Sequence, residues 1–546
     1  MNLSTSAHVD TFSRDNLPPA ELWPTLEFTI PDVQYPDRLN AATALIDDAV
    51  ARYGSDAPCL RTPDGELWTY GQLLKRANQV AQVLTEDFGV VPGNRVLLRG
   101  PNNPWIAACW LGALKAGGVV LTTMHALRAG EIAPLIKQLR PVVGLADHRF
   151  VEELRTAASG ASGAMAVLAY GAGDSNDLAA LCEAKSGIFS NVETAADDVA
   201  LMGPTSGTTG IPKITMHFHR DILAIADTFS NHLLQPRPDD LFAGTPPLAF
   251  TFGLGGLLVF PLRAGASTLL IERATPDELA KLCADHSVTV LFTAPTAYRA
   301  ILKNGHAELL RSVRVGVSAG ENLPASVWKE VHEKTGLKLI DGIGSTEMLH
   351  VFISSNGDDI RPGSTGIAVP GYRAVILDND GNEAGQDELG RLAVIGPTGC
   401  RYFGGTKQTD YVSNGWNITG DTFHRDADGY FWYEARSDSM IISSGYNIGA
   451  PSVEAAIDKH GDVLESAVVG KPDNERGHIV AAFVVLRDGV VGDDAKRKEI
   501  QDFVKQTIAP YKYPRELTFV DSLPRNPSGK LQRFRLQEQP TDLKSS

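Results

Sequence analysis

Hydrophobic and polar positions change their period repeatedly along this chain. From Gln72 to Leu84 the apolar residues recur at the spacing of one helix face. Arg95 to Leu98 then forms a short strand-like run, and Trp105 to Lys115 returns to helical spacing before Gly117-Gly118 stops it. Alternation of this kind predicts an α/β fold of packed layers with substantially parallel sheets. Val199 to Met202 and Ile214 to Phe218 read as two more strands, flanking a polar loop. From Arg391 to Ile395, and again from Tyr430 to Tyr433, the pattern turns β-rich with Gly and Asp turns, which predicts a small barrel or β-subdomain. Beyond about Ser439, strand-like Glu465 to Val469 and Ile479 to Leu486 and a helix near Lys496 to Thr507 predict a separate α+β lobe. Leu17-Pro-Pro19 and Trp23-Pro24 make the residues up to about Pro36 an extended surface arm, and Ala157 to Ser175, rich in Ala, Gly and Ser, reads as a surface loop. No internal repeat is visible.

With 546 residues, 43% of them hydrophobic, the chain is long enough for two or three domains. The balance of 50 Lys+Arg against 65 Asp+Glu leaves a net charge of -15, which disfavours binding to nucleic acid or to an anionic membrane. A polyanionic ligand must therefore be held by local groups. Cys59, Cys109, Cys182, Cys283 and Cys400 are scattered and form no CxxC pair, which argues for a reducing compartment, against a zinc site, and for five packing residues. The polar start Met1 to His8 lacks the regions of a signal peptide, and no run is long and apolar enough to span a bilayer. The expectation is a soluble cytoplasmic protein with no nucleic-acid or membrane partner.

The stretch Thr205-Ser206-Gly207-Thr208-Thr209-Gly210-Ile211-Pro212-Lys213 sits between the two strand-like runs and concentrates four hydroxyls, two glycines and a lysine. Glycine lets the backbone approach an anion, successive N–H groups can form a concave nest, and the hydroxyls and ammonium add donors, so the stretch reads as a phosphate cradle at a hairpin tip. A flexible linker would explain the small residues but not Pro212-Lys213, which fix the end of the loop and place a cation there. The spacing differs from the nucleotide loop GxxxxGK[ST].

This stretch resembles the signature of the adenylate-forming superfamily of acyl-CoA synthetases, nonribosomal-peptide adenylation domains and firefly-type luciferases. Further segments match in the expected order over nearly the whole chain. Trp68 to Leu73 and Leu114 to Gly117 resemble structural motifs. In Ile343-Gly344-Ser345-Thr346-Glu347 the resemblance implies that Thr346 contacts the α-phosphate and Glu347 supports Mg2+, a hard cation suited to carboxylate oxygen. Relatives commonly have an aromatic residue where Ile343 stands, so an aliphatic contact with adenine replaces stacking. Ser318, Ala319, Gly320 and Glu321, with Asp341 and Gly342, resemble segments lining the adenine and acyl pockets. Asp421 matches the ribose anchor, a carboxylate able to accept from two cis hydroxyls, and Arg436 its neighbouring ribose contact. Asp438 matches the hinge between a large domain, 1–437, and a small mobile domain, 438–546. Lys530, in Leu523-Pro-Arg-Asn-Pro-Ser-Gly-Lys530, matches the catalytic lysine. Its ammonium would reduce repulsion between a carboxylate and the triphosphate.

Gly445 and Tyr446 resemble the loop beside the pantetheine tunnel of coenzyme A, with Ser444 where some relatives carry lysine and the usual proline shifted to Pro451. Phe250, Thr251, Phe252 and Gly253 lie where relatives place the acyl-pocket floor, suited to a flat ring. Met216 to Asp221 and Asp341 to His350 resemble the benzoate-CoA ligase branch, the former most like 2-aminobenzoate-CoA ligases. Strand alternation would put His217 and His219 on one face. Without a third metal ligand they read as polar pocket and packing residues, and His350 as reaching an ortho substituent. The resemblance thus implies ATP-dependent ligation of a small aromatic acid, benzoate or 2-aminobenzoate in type, to coenzyme A through an acyl-adenylate, with ATP, Mg2+ and coenzyme A bound. A homodimer is compatible with this. Rival readings are a stand-alone enzyme that loads a carrier protein, a nucleotide-binding regulator without turnover, and a luciferase-like oxygenation.

Overall fold

Four β-sheets, two with parallel centres, one antiparallel and one antiparallel except for a parallel edge strand, organise the chain in a computed structural model. It describes residues 3–160, 165–173, 175–205, 213–321, 323–405, 407–436, 440–443, 446–473, 477–508, 510–525 and 531–537. The first sheet runs in the order Ala166–Tyr170, Val143–Asp147, Arg95–Arg99, Val119–Thr123, Val199–Thr205, Lys213–Phe218. All neighbours are parallel except the last pair, an antiparallel hairpin. Val96, Leu97 and Leu98 are all fully buried, because a central parallel strand is covered on both faces. One cover is the helix Tyr70–Gln82, started by a Thr69/Gln72 capping box, against the helix Pro104–Lys115, capped by Asn103. Gly112 permits their close approach, since a Cβ there would lie 2.7 Å from Val80 and 2.8 Å from the Ala77 carbonyl.

The second sheet has nine strands, in the order Ile367–Ala368, Val351–Ser354, Ile340–Gly344, Val315–Ser318, Val290–Thr293, Leu241–Gly244, Ser267–Leu269, Pro58–Arg61, Leu67–Thr69. Its centre is parallel and its margins are antiparallel. The third is the expected β-subdomain, an antiparallel sheet of Arg373–Leu377, Gly390–Ile395, Trp416–Arg425 and Val412–Ser413, with Phe431–Arg436 paired to Trp416–Arg425. The fourth joins Met440–Ser443, Tyr446–Gly449, Val463–Asp473, Gly477–Leu486 and Glu516–Phe519, and packs on the helices Ala450–Ile457 and Asp494–Thr507 around its own core of Ile441, Val453, Val468, Val484 and Ile500. This is the α+β lobe the sequence predicts.

The Ala157 to Ser175 stretch departs from the expected loop. It contains the end of the helix Val151–Ser159 and the edge strand Ala166–Tyr170, whose Leu168 and Tyr170 point into the core. Small residues mask the strand pattern, and alternation survives only at those two positions. The amino-terminal arm is pinned rather than merely laid down: Ser4 and Ala7 donate backbone N–H bonds to Asp197 (3.1 Å) and Asp198 (3.0 Å), and Trp23 packs 5.8 Å from the Phe218 ring. All five cysteines are buried and free, as expected of packing residues. Among the described residues no helix is long and apolar enough to cross a membrane.

Candidate active site

The hairpin of Val199–Thr205 and Lys213–Phe218 lies beside the turn that follows the strand Ile340–Gly344 of the second sheet. Thr205 pairs with Lys213 across it, and Ser206, Gly207, Thr208 and Thr209 lie outside the described residues. Two residue pairs further down, Gly203 leaves room for Thr346, whose methyl would be 3.1 Å from a Cβ at that glycine. Three consecutive residues of the facing turn are each held by one side chain. The Ser345 hydroxyl is 3.0 Å from the Tyr411 hydroxyl, the Thr346 carbonyl 2.8 Å from His217 Nε2, and Glu347 Oε1 accepts from the Tyr402 hydroxyl at 2.6 Å. A carbonyl can only accept, so His217 carries its proton on Nε2. The Tyr402 phenol pKa lies far above its usual value, through burial and then the Glu347 charge, so this hydroxyl is a donor. The Tyr402 ring also receives the Lys213 ammonium, 5.1 Å from its centroid.

Behind His217, Asp221 is fully buried 3.8 Å from Nδ1 and accepts from Arg401 at 2.8 Å. Burial would raise the Asp221 pKa, but the Arg401 guanidinium and His217 outweigh it and hold the carboxyl well below its usual range. Arg401 in turn lies 3.9 Å over the Phe218 ring and 5.5 Å over Trp23 of the arm. The expectation that His217 and His219 share a strand face is corrected here. The strand ends at Phe218, and His219 opens the helix His219–Ile225, where its Nδ1 accepts from the Ala41 N–H at 3.1 Å. Its role is packing, as expected.

Ser318 ends its strand directly opposite Asp341. Ser318 Oγ and Asp341 Oδ1 are both closed off from solvent without a hydrogen-bond partner, although Asp341 as a residue is half-buried. Buried polar atoms left unpaired in a native fold mark where a ligand group fits. Burial pushes the Asp341 carboxyl up to about 8. Ala319 is buried, Gly320 takes φ of 89°, and Glu321 lies 3.7 Å from Arg525 of the small lobe. Gly342 and Gly344 let the antiparallel neighbour come close: a Cβ would sit 2.6 Å from Val351 Cγ1 at the former and 2.6 Å from the His350 carbonyl at the latter. Ile343 between them is half-buried against the main core and presents an aliphatic face. Asp421, 8% exposed, stands opposite Arg436 in the antiparallel pair of Trp416–Arg425 with Phe431–Arg436.

His350 stands among a cluster of aromatic rings. His350 is 4.7 Å from Phe260, 5.3 Å from Phe229 and 5.9 Å from Phe252, and Phe252 lies 5.2 Å from Phe292. Neither His350 ring nitrogen has a hydrogen-bond partner of normal geometry. Burial lowers its pKa to about 3, against a weak upward pull from the Phe252 backbone, so the imidazole is neutral. Thr251 opens the short helix Thr251–Leu254 and Gly253 packs its Cα against the Pro247 carbonyl. Phe250 does not join the cluster; it is 46% exposed at its edge. A separate surface cavity of about 620 Å³, lined by Tyr372, Arg373, Arg425 and Phe431 among others, touches none of these residues.

Lys530, Asp438 and Gly445 lie outside the described residues, and Tyr446 is described only as the start of the strand Tyr446–Gly449. Sequence reasoning missed Tyr402, Tyr411 and Arg401, and the rings of Phe229, Phe260 and Phe292. Their signal is tertiary, for example the single bridge of Tyr402 to Thr215, and no local spacing announces it. The donor set suits a divalent cation. Among the described residues one Glu347 oxygen is taken by Tyr402 and no other hydrogen bond reaches the carboxylate, which leaves a hard oxygen open to such an ion.

Comparison with known proteins agrees with this arrangement. The family described as AMP-binding enzyme matches residues 46–402, and the AMP-binding enzyme C-terminal domain matches residues 452–530. A benzoate–CoA ligase of Thauera aromatica is 34% identical over 532 residues, covering 93% of this chain and 98% of that protein. A 4-hydroxybenzoate–CoA/benzoate–CoA ligase of Rhodopseudomonas palustris is 32% identical, covering 91% and 94%. Among solved structures, an anthranilate CoA ligase in complex with anthranoyl-AMP superposes with a TM-score of 0.87 at 30% identity, covering 93% of this chain and 98% of that one. A benzoate CoA ligase from Burkholderia xenovorans LB400 gives 0.84 at 30% identity, covering 92% and 100%. With two family domains in the expected order and relatives matched along almost their whole length, the chain belongs to the AMP-binding enzymes.

Proposed function

We infer that this chain is an AMP-forming acid:CoA ligase for a small aromatic carboxylic acid, benzoate or 2-aminobenzoate in type. The observation that carries the reading is the aromatic cluster of Phe229, Phe252, Phe260 and Phe292 around a neutral His350, joined by Gly344 to the turn that bears Thr346 and Glu347. A flat ring gains from edge and face contacts with such rings, and an uncharged imidazole can exchange a hydrogen bond with a ring substituent at no ionic cost. The similar benzoate, 4-hydroxybenzoate/benzoate and anthranilate CoA ligases support the same acid class.

In the first half-reaction the acid's carboxylate attacks the α-phosphate of ATP and pyrophosphate leaves. Thr346 addresses the α-phosphate while Lys530 spreads its positive charge between the two anions. Glu347 would hold Mg2+, which neutralises phosphate charge when bound. Asp421 and Arg436 seat the ribose, Asp341 and Ser318 meet the base, and Thr205 to Lys213 cradle the phosphates. In the second half the small domain, 438–546, turns about Asp438 against the large domain, 1–437. Lys530 then withdraws and the Gly445-Tyr446 loop guides the thiol of coenzyme A to the acyl carbon. The reading extends to a cytoplasmic enzyme able to form a homodimer, which sedimentation velocity checks.

A panel of substituted benzoates and straight-chain acids, assayed by pyrophosphate release with ATP and Mg2+, tests the substrate class. Aromatic acids are expected to exceed aliphatic acids of equal carbon number in kcat/KM by at least about tenfold, the scale of a small difference in pocket fit; equal or better turnover of the aliphatic acids contradicts it.

A further inference from the structure

Tyr402 touches two oppositely charged members of the nucleotide site at once. Its hydroxyl donates to Glu347 Oε1 at 2.6 Å, and the face of its ring carries the Lys213 ammonium at 5.1 Å. The residue is 2% exposed and fixed on three sides: its N–H donates to Gln408 Oε1 at 2.8 Å, its backbone bridges Thr215, and Tyr411 packs edge-on at 6.1 Å. Among the described residues Lys213 and Glu347 form no ion pair with each other, although one lies over the ring face of Tyr402 and the other accepts from its hydroxyl. Resting on the ligase reading, we propose that Tyr402 is a positioning residue that keeps the loop-end cation and the metal-binding carboxylate apart, so that each stays available to the charge of Mg-ATP.

The physical argument is competition. An ammonium and a carboxylate within reach of each other in a half-buried site pair directly, and a paired carboxylate is a poor ligand for a divalent cation. The ring holds the ammonium on its face, away from the hydroxyl edge where the carboxylate sits, and offers it a weaker attraction that a phosphate can outbid. The hydroxyl occupies one carboxylate oxygen, orients the group and leaves the other oxygen for the metal, as an outer hydrogen-bond partner of a metal ligand does.

The test uses Mn2+ as a spectroscopic stand-in for Mg2+, its binding to the ATP complex read by electron paramagnetic resonance, with ATP binding in EDTA measured by calorimetry. Tyr402→Phe keeps the spacer and loses the donor, so Mn2+ affinity is expected to fall by about tenfold with metal-free ATP affinity unchanged. Tyr402→Leu opens the path between the charges and should lose more, and adding Lys213→Met to Tyr402→Leu should recover Mn2+ affinity toward that of Tyr402→Phe. Wild-type Mn2+ affinity in Tyr402→Phe, or a Tyr402→Leu defect that Lys213→Met does not relieve, overturns the proposal. A wild-type chain that binds no Mn2+ with ATP overturns the ligase reading and the proposal with it, and is distinguished by failing before any substitution is made.

Discussion

Asp341 and His350 flank the 343–347 turn in sequence and are shifted in opposite directions by the same cause, loss of water. The Asp341 carboxyl, raised from 3.8 to about 8, stays protonated in the folded chain at pH values where the unfolded chain has released its proton. Its contribution therefore declines as pH rises between about 4 and 8. His350, lowered from 6.5 to about 3, is neutral when folded where the unfolded chain is charged, so its contribution declines as pH falls below about 6.5. Relative to wild type, Asp341→Asn should gain thermal stability from pH 5 to pH 8, and His350→Phe should gain it from pH 7 to pH 5. Each effect is at most about 1.4 kcal/mol per pH unit, and smaller for the half-buried Asp341. Melting temperatures across pH check both, and parallel lines for variants and wild type would refute the assignment. Lys530→Ala is expected to lose acyl-AMP formation by at least about a hundredfold while still converting supplied acyl-AMP with coenzyme A; equal loss of both halves contradicts its role. At this scale the sequence named Thr346, Glu347 and Asp421 through local motif. It could not show that Tyr402, Tyr411 and His217 hold three successive residues of the turn, because those contacts span 55 to 129 residues.

At the scale of elements, the turn is positioned by close packing of backbones. Gly344 faces the His350 carbonyl across an irregular antiparallel pair, with the register shift falling between Ile343 and Gly344. Gly344→Ala should cost about 1–3 kcal/mol of stability, the usual range for overpacking, and lower acyl-AMP formation by about tenfold or more as the Thr346 turn shifts. Denaturant unfolding and pyrophosphate release measure the two, and an unchanged rate would mean that the turn is set elsewhere. The helix at Gln72 was legible because its period is strong and its cap local, and the strand at Arg95 and the helix at Trp105 because their apolar runs are nearly continuous and bounded by Gly, Pro and Asn. The strand Ala166–Tyr170 was not, since its edge position asks for only two inward side chains and small residues fill the rest. His219 was misassigned because a strand-to-helix change at Phe218 leaves no trace in alternation alone.

For the whole molecule, the two-lobe plan followed from a change of pattern near Ser439 and from separate hydrophobic sets, which the structure holds as distinct cores. What the pattern could not give is how the lobes touch. Arg525 of the small lobe bonds Glu465 at 2.8 Å and approaches Glu321 beside the strand Val315–Ser318 at 3.7 Å, a contact between the lobes. Asp438→Pro, which restricts one backbone torsion at the proposed hinge, should slow the thioester half by about tenfold or more while leaving acyl-AMP formation within about twofold. Single-turnover assays of the two halves separate these, and equal slowing would place the pivot elsewhere. The central claim is the order of the two chemical steps. Quenched reactions of the purified chain with ATP, Mg2+ and benzoate or 2-aminobenzoate, resolved by mass spectrometry, test it most directly. Without coenzyme A the account predicts an enzyme-bound aroyl-AMP and one equivalent of pyrophosphate; on adding coenzyme A, aroyl-CoA and AMP should appear together. Formation of ADP and phosphate, or aroyl-CoA without a preceding aroyl-AMP, would contradict it.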